Sequence, residues 1–316
     1  MSFHPTFDCL WCGSAHACRG SDDLEGWAQL CPDCVGKAGD NGFLRFRLRQ
    51  ALTDRANAHA GSVTTAPAGS SALVRPASTA SAVATSPTER DAEMLAYYEA
   101  RAPEYDDWYL RRGRYARGPI HDAAWNAELD AAGRWLDALP IRGEIVELAA
   151  GTGWWSPLLA DKGELSLYDG TDAPLDRARE RLLAHGLRAH LHVRDAWAEP
   201  DRRVDALFTG FWLSHVERDR LAAFLALVRR WLEPGGIFAF IDSRLDPQSS
   251  AVDHPAPADD TSVRRLDDGR EFTVVKVYYE PDELETALRA AGFREPDVTT
   301  TGRFFLTGFA VAEDVV

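Results

Sequence analysis

From residue 144 the chain alternates short apolar runs with amphipathic stretches. Runs of strand character begin at Glu144-Ile-Val, Leu165-Ser-Leu-Tyr, His190-Leu-His-Val, Val204-Asp-Ala-Leu-Phe and Ile237-Phe-Ala-Phe-Ile. β-Branched and aromatic residues dominate them, as buried strands require. Between the runs lie helical stretches, such as Leu175-Asp-Arg-Ala-Arg-Glu-Arg181-Leu-Leu, with Asp172 as N-cap. Strands that alternate with helices predict an α/β fold with a mainly parallel, doubly wound sheet. The last helix is predicted from Tyr279 to Gly292, with Pro281 in its first turn and Gly292 past its end. Two apolar strands, Val298 to Phe305 and Leu306 to Val311, follow, with Gly302 and Gly308 breaking the run.

The sharpest punctuation is Glu147-Leu-Ala-Ala-Gly151-Thr-Gly153-Trp154-Trp155, between the first of these strands and the helix opening at Ser156. Small residues at such a turn let backbone approach a ligand, and the next helix aims its amides into the same space. A dinucleotide fingerprint G-x-G-x-x-G fits poorly, because its third glycine falls on Ser156 and two tryptophans stand where a pyrophosphate needs bare backbone. A second strand ends in Asp169, at a distance suited to holding two ribose hydroxyls, roughly 20 positions past the turn.

These elements together resemble the class I S-adenosylmethionine (SAM) dependent methyltransferases. The turn is similar to that family's E/D-x-G-x-G-x-G, with Ala149 in place of the first glycine. Asp169 with Thr171 and Ala178-Arg179 resembles the D-x-S-x-x-x-L-x-x-A-R segment. Asp195-Ala196 resembles the strand end that meets adenine, with Trp197 beside it. Val204 to Val216 and Leu232-Glu-Pro-Gly-Gly resemble the fourth strand and the turn before the fifth. Over residues 91 to 316 the resemblance implies a Rossmann-like, seven-stranded sheet that ends in a C-terminal antiparallel hairpin. It also implies cofactor contacts from Glu147, Ala149, Gly151, Gly153, Asp169, Asp195, Ala196 and Phe211. Ala149 is expected to shift the turn slightly.

Met94 to Tyr109 resembles the Y-Y-x-x-R-A-x-x-Y-D leader of small-molecule members, a helical lid. Tyr97, Tyr98 and Tyr105 then bound the pocket, where aromatic faces attract the sulfonium; Tyr97 reads equally as core. Methyl transfer needs alignment and water exclusion, and a base only where the nucleophile carries a proton. His215 is the candidate base, with Tyr98 and Tyr105 as candidate partners; packing beside Trp212 is the competing reading for His215. The segment between Asp242 and Glu271 is expected to cover the substrate mouth. Its Arg264 or Arg265 either holds an anion or is solvated, and Asp268-Gly269 marks a tight turn.

The amino-terminal region is of another kind. Cys9-Leu-Trp-Cys12 and Cys31-Pro-Asp-Cys34 are two C-x-x-C pairs that suit tetrahedral structural zinc; rubredoxin-like iron or a redox dithiol are alternatives. Cys18 and His16 read as bystanders. Gly42 to Leu52 reads as a basic helix, either packed on the knuckles or docking a partner. Ala, Ser, Thr and Pro then predict a disordered linker. The expected division is 1–56 zinc-ribbon-like, 57–88 linker and 89–316 methyltransferase.

Residues 1–90 carry 8 acidic and 8 basic side chains, so the whole net charge of −14 lies in the remainder. So acidic a body disfavours a long nucleic-acid surface and favours a small-molecule acceptor. With no apolar run of membrane-spanning length and no signal segment, a cytoplasmic enzyme is expected. Methylation of an O or N atom of a small molecule is the leading expectation. An RNA or protein methyltransferase targeted by the zinc module, and a SAM-binding interaction protein without catalysis, are the alternatives.

Overall fold

The computed structural model describes residues 6–8, 15–17, 87–255, 257 and 259–313. The chain divides into two units, Met1–Ser86 and Pro87–Val316. In the first unit, β1 (Thr6–Asp8) pairs antiparallel with β2 (Ala15–Ala17). The four cysteines proposed as metal ligands, the basic stretch 42–52 and nearly all of the expected linker lie outside the described residues.

The second unit opens with α1 (Pro87–Arg101), so the helix takes the last two residues assigned to the linker. It is followed by α2 (Asp106–Leu110) and α3 (Pro119–Ala138). Alternation then begins: β3 (Gly143–Leu148), α4 (Ser156–Ala160), β4 (Gly163–Asp169), α5 (Asp172–Ala184), β5 (His190–Val193), β6 (Val204–Gly210), α6 (Leu221–Trp231) and β7 (Leu232–Ser243). A separate hairpin, β8 (Thr261–Arg265) and β9 (Glu271–Val275), precedes α7 (Pro281–Ala290), β10 (Phe293–Thr300) and β11 (Phe305–Ala312).

Seven strands form one sheet in the order β10-β11-β7-β6-β3-β4-β5. β3 to β7 run parallel, and β11 inserts antiparallel between β7 and β10. The order reverses between β3 and β6, which places the switch point, and hence the ligand crevice, at their carboxyl ends. Helices cover both faces because the central strands are apolar on both: Ile145, Val146, Leu207, Phe208, Phe238 and Phe240 are fully buried. α6 packs Phe224, Leu225, Val228 and Trp231 into this core at helical spacing.

Three local expectations are corrected. The closing strands are Phe293–Thr300 and Phe305–Ala312, because Gly302 turns at φ 151 and Phe305 pairs with Ser243. The N-cap of α5 is Thr171, in extended backbone, with Asp172 as the first helical residue. Pro234-Gly235-Gly236 is no turn ahead of a strand but a bulge inside β7, across which pairing shifts from Val204↔Leu232 to Ala206↔Ile237. α7 has Pro281 in its first turn and Gly292 past its end as expected; it spans Pro281–Ala290 and is closed at its start by a capping box of Glu280 and Glu283.

Candidate active site

At the switch point the chain turns sharply after β3. Ala149, Gly151 and Gly153 all adopt positive φ, at 50°, 55° and 69°. Ala149 thus adopts the left-handed geometry that its position demands. A Cβ added at Gly151 would meet nothing within 4 Å, so the backbone there faces open space. Gly153 answers a different need: a Cβ there would lie 2.7 Å from the Cβ of Ala178, where α5 crosses the turn.

This turn forms one wall of a cavity of about 750 Å³. The strand ends contribute Ala149, Gly151, Asp169, Asp195, Ala196 and Phe211; α1 covers them with Asp91, Met94, Leu95 and Tyr98. Asp169 accepts the Gly151 N–H at 2.9 Å and the Thr171 N–H at 3.3 Å. Burial raises its carboxyl to about 6, and these amides hold it from going higher. Asp195 Oδ1 accepts the Trp197 N–H at 2.7 Å.

Two residues expected at the cofactor do not line this cavity. Glu147 is fully buried beneath the turn, where its Oε2 accepts the Ser156 hydroxyl at 2.6 Å. Burial lifts its carboxyl to about 8, so it carries a proton at neutral pH and fastens the start of α4. Gly153 faces α5, as above. The two tryptophans are also structural: Trp154 stacks flat on Tyr109 at 4.1 Å, and Trp155 is buried against Gly210.

Helix α2 is tied to the turn by charge and hydrogen bonding. Asp106, at the start of α2, accepts the Thr152 hydroxyl at 2.7 Å and pairs with Arg181 of α5. Arg181 also donates to the Thr152 carbonyl at 2.9 Å.

A second chamber of about 490 Å³ adjoins the first, and Tyr98, Tyr105, Phe211 and His215 line both. At this boundary His215 Nδ1 lies 2.6 Å from the Val275 carbonyl, an acceptor only, so Nδ1 carries the proton. Nε2 therefore accepts the Tyr98 hydroxyl at 2.7 Å. Burial, and next the Lys276 ammonium, push the imidazole well below its usual range, so it is neutral. Burial likewise raises the Tyr98 phenol well above its usual range, and that of Tyr105 too. Tyr97 is both wall and core: it lines the second chamber and packs with Met94, Leu266 and Val274.

The second chamber's far wall holds Arg101, Tyr115, Ser249, His254, Arg264, Lys276 and Tyr278. Of these, only Arg264 was singled out from sequence as an anion contact; Arg265 is instead paired with Glu271 at the surface. Lys276 was overlooked, although a lysine inside Val274-Val275-Lys276-Val277 is a buried-charge signal. The segment after β7 does cover this chamber, through Ser249, Ser250 and His254.

A crevice at a topological switch point, with a left-handed glycine turn and a strand-end carboxylate, defines a Rossmann-like nucleotide-cofactor enzyme. The chain belongs to the class I SAM-dependent methyltransferases. The model of the family "Methyltransferase domain" matches residues 145–236. The ubiquinone/menaquinone biosynthesis C-methyltransferase UbiE of Coxiella burnetii is 31% identical over 170 residues, covering 48% of this chain and 67% of that one. UbiE of Proteus mirabilis is 29% identical over 185 residues, covering 53% and 71%. Among solved structures, DhpI in complex with SAH is 31% identical with a TM-score of 0.57, covering 73% of this chain and all of DhpI. A Burkholderia thailandensis 1,6-didemethyltoxoflavin-N1-methyltransferase, at 17% identity and TM-score 0.50 over 74% of this chain and 94% of its own, shares the fold. The protein is a SAM-dependent methyltransferase.

Proposed function

We propose that the first cavity holds SAM and that the adjoining chamber holds a small-molecule acceptor, methylated at O or N. The shared boundary carries this reading: four side chains face both spaces, so donor and acceptor bound there meet across Tyr98 and His215. Asp169 takes the ribose hydroxyls, Asp195 and Ala196 take the adenine edge, and Gly151 and Ala149 give bare backbone to the rest. SAM supplies a methyl carbon made electrophilic by positive sulfur; an acceptor lone pair bonds to it as the carbon–sulfur pair returns to sulfur. The protein's part is to align and to exclude water.

The Tyr98–His215 pair sets the proton path. The imidazole's only lone pair is engaged by the phenol, so an acceptor proton reaches it only by relay through Tyr98. This makes Tyr98 the group that touches the acceptor and His215 the group that orients it; Tyr105 borders both. The polar, cationic lining of the second chamber favours an acceptor bearing heteroatoms.

For the amino-terminal unit, the C-x-x-C spacing of Cys9, Cys12, Cys31 and Cys34 supports structural zinc; among the described residues there is no other group suited to a metal. No helix among them is long and apolar enough to cross a membrane. A cytoplasmic location, and partner docking through the basic stretch 42–52, belong to the same proposal.

The test is calorimetry of the zinc-analysed protein with S-adenosylhomocysteine, then transfer of labelled methyl from SAM to pooled small acceptors, with and without residues 1–56. Micromolar binding, about −8 kcal/mol, and transfer that survives the deletion are expected. Transfer only to RNA or protein, lost on deletion, overturns the small-molecule reading. Tight binding with no turnover on any acceptor overturns catalysis at this boundary.

A further inference from the structure

The second chamber gathers three cationic side chains from three separate segments. Arg101 comes from the end of α1, Arg264 from β8, and Lys276 from the residue after β9. Arg101 is 8% exposed, and its guanidinium lies over the Tyr105 ring at 4.5 Å. One nitrogen donates to the Tyr115 hydroxyl at 3.3 Å, and its buried Nε has no hydrogen-bond partner. Lys276, 6% exposed, donates to the hydroxyls of Ser214 at 2.7 Å and Ser243 at 3.1 Å. Two acceptors leave one of its three N–H groups for another. Arg264 Nη1 donates to His254 Nδ1 at 3.1 Å and reaches the Ser250 hydroxyl at 3.4 Å. That ring is neutral, pushed down to about 4 by burial and by Arg264 itself.

None of the three cations has a carboxylate within ion-pair distance among the described residues. The arginines that fasten the fold differ: Arg181 pairs with Asp106, Arg220 with Asp91 and Arg230 with Glu199. The carboxylate nearest Lys276 in effect is Asp242, but its oxygens accept the backbone N–H groups of Ser214 and Ser243. At the rim, Glu104 accepts the Asp267 N–H, and Asp253 faces Arg114 and Arg265. Burying cations without counter-charges is costly, and a fold retains them where a ligand provides the compensation.

We infer that this chamber is an oxyanion site: the acceptor carries a carboxylate or a phosphate-type group, held by Arg101, Arg264 and Lys276 while its reacting atom meets Tyr98. Hydroxyls of Tyr115 and Ser249 line the same space and suit the remaining oxygens. The inference rests on the first cavity being the donor site, and the experiment separates the two.

The full chain, saturated with S-adenosylhomocysteine, is titrated with inorganic phosphate and, separately, with acetate. At least one binds, and the stronger identifies the oxyanion geometry. Arg264→Gln, at the mouth, weakens that binding by about tenfold or more, the scale of one charge-assisted contact. Its affinity for S-adenosylhomocysteine stays within about twofold, since Arg264 lies outside the donor cavity. Arg101→Met gives a second, deeper removal, and the exposed Arg179→Gln is the control expected to change nothing. No binding of either anion by protein that binds S-adenosylhomocysteine overturns the inference, as does binding that Arg264→Gln and Arg101→Met leave intact. Anion binding that responds to these variants, in protein that ignores S-adenosylhomocysteine, supports the oxyanion site and overturns the donor-site reading instead.

Discussion

The two chambers meet at one wall yet are built on opposite plans. The first cavity, proposed for the donor, is floored by backbone and by Asp169 and Asp195 at the ends of consecutive strands, with Asp91 of α1 above them. The second chamber, proposed for the acceptor, is walled by side chains, with Arg101, Arg264 and Lys276 as its charges. In the first, placement is fixed by the sheet, so a short local pattern suffices. In the second, placement depends on a lid helix, a long loop and a separate hairpin arriving together. A universal donor calls for the first design and a particular acceptor for the second.

The contrast is open to attack at several points. Asp169→Asn removes the charge that faces the donor cavity. It should weaken S-adenosylhomocysteine by about 100-fold, the worth of a pair of charge-assisted hydrogen bonds. Anion binding next door should hardly change, and calorimetry reads both. The turn itself gives the next effect. Gly153→Ala drives a methyl group into Ala178 at positive φ and should cost about 2 kcal/mol in denaturant unfolding. Ala149→Gly, at φ 50, should instead stabilise by about 1 kcal/mol without loss of donor affinity.

Acidity should divide the chambers in opposite directions. Asp169 sits at about 6, so protonation below that value removes its accepting charge and donor affinity falls as the medium turns acid. Lys276 is lowered to about 8 by burial, against the pull of Asp242 and with Arg264 and Arg101 facing it. Above that value it loses its proton, and affinity for acetate, ionised across that part of the range, falls by up to about tenfold. Titrations between pH 5 and 9.5 should show the two losses at opposite ends. Both at the same end would break the division. The smallest effect is expected for Glu147→Gln. The glutamate is already protonated at neutral pH and lies outside the cavity, so donor affinity should stay within about twofold. A large loss would restore it to the cofactor contacts.

The same contrast explains what was legible beforehand. Strand–turn–helix periodicity located the glycine turn, Asp169, Asp195 and Phe211, because each stands at the end of its own apolar run. The family resemblance, not periodicity, assigned Glu147 and Gly153 to the ligand, and a linear motif does not distinguish the face of a turn that meets solvent from the face that meets α5. Arg101 and Lys276 are separated by most of the domain, and only tertiary assembly places them in one wall. Even so, a lysine interrupting an apolar run marks a buried charge, and that hint was available. The Pro-Gly-Gly bulge escaped for a simpler reason: turn residues are read as ends, and here the strand continues through them.

The β8–β9 hairpin pairs only with itself and shares no register with the seven-stranded sheet. Insertions, deletions or wholesale replacement there leave every sheet pairing untouched, while changing the ground on which Arg264 and Lys276 stand. Change in the hairpin is therefore felt at the wall between the two chambers, where the Val275 carbonyl holds His215, and not in the strands that carry the glycine turn, Asp169 and Asp195.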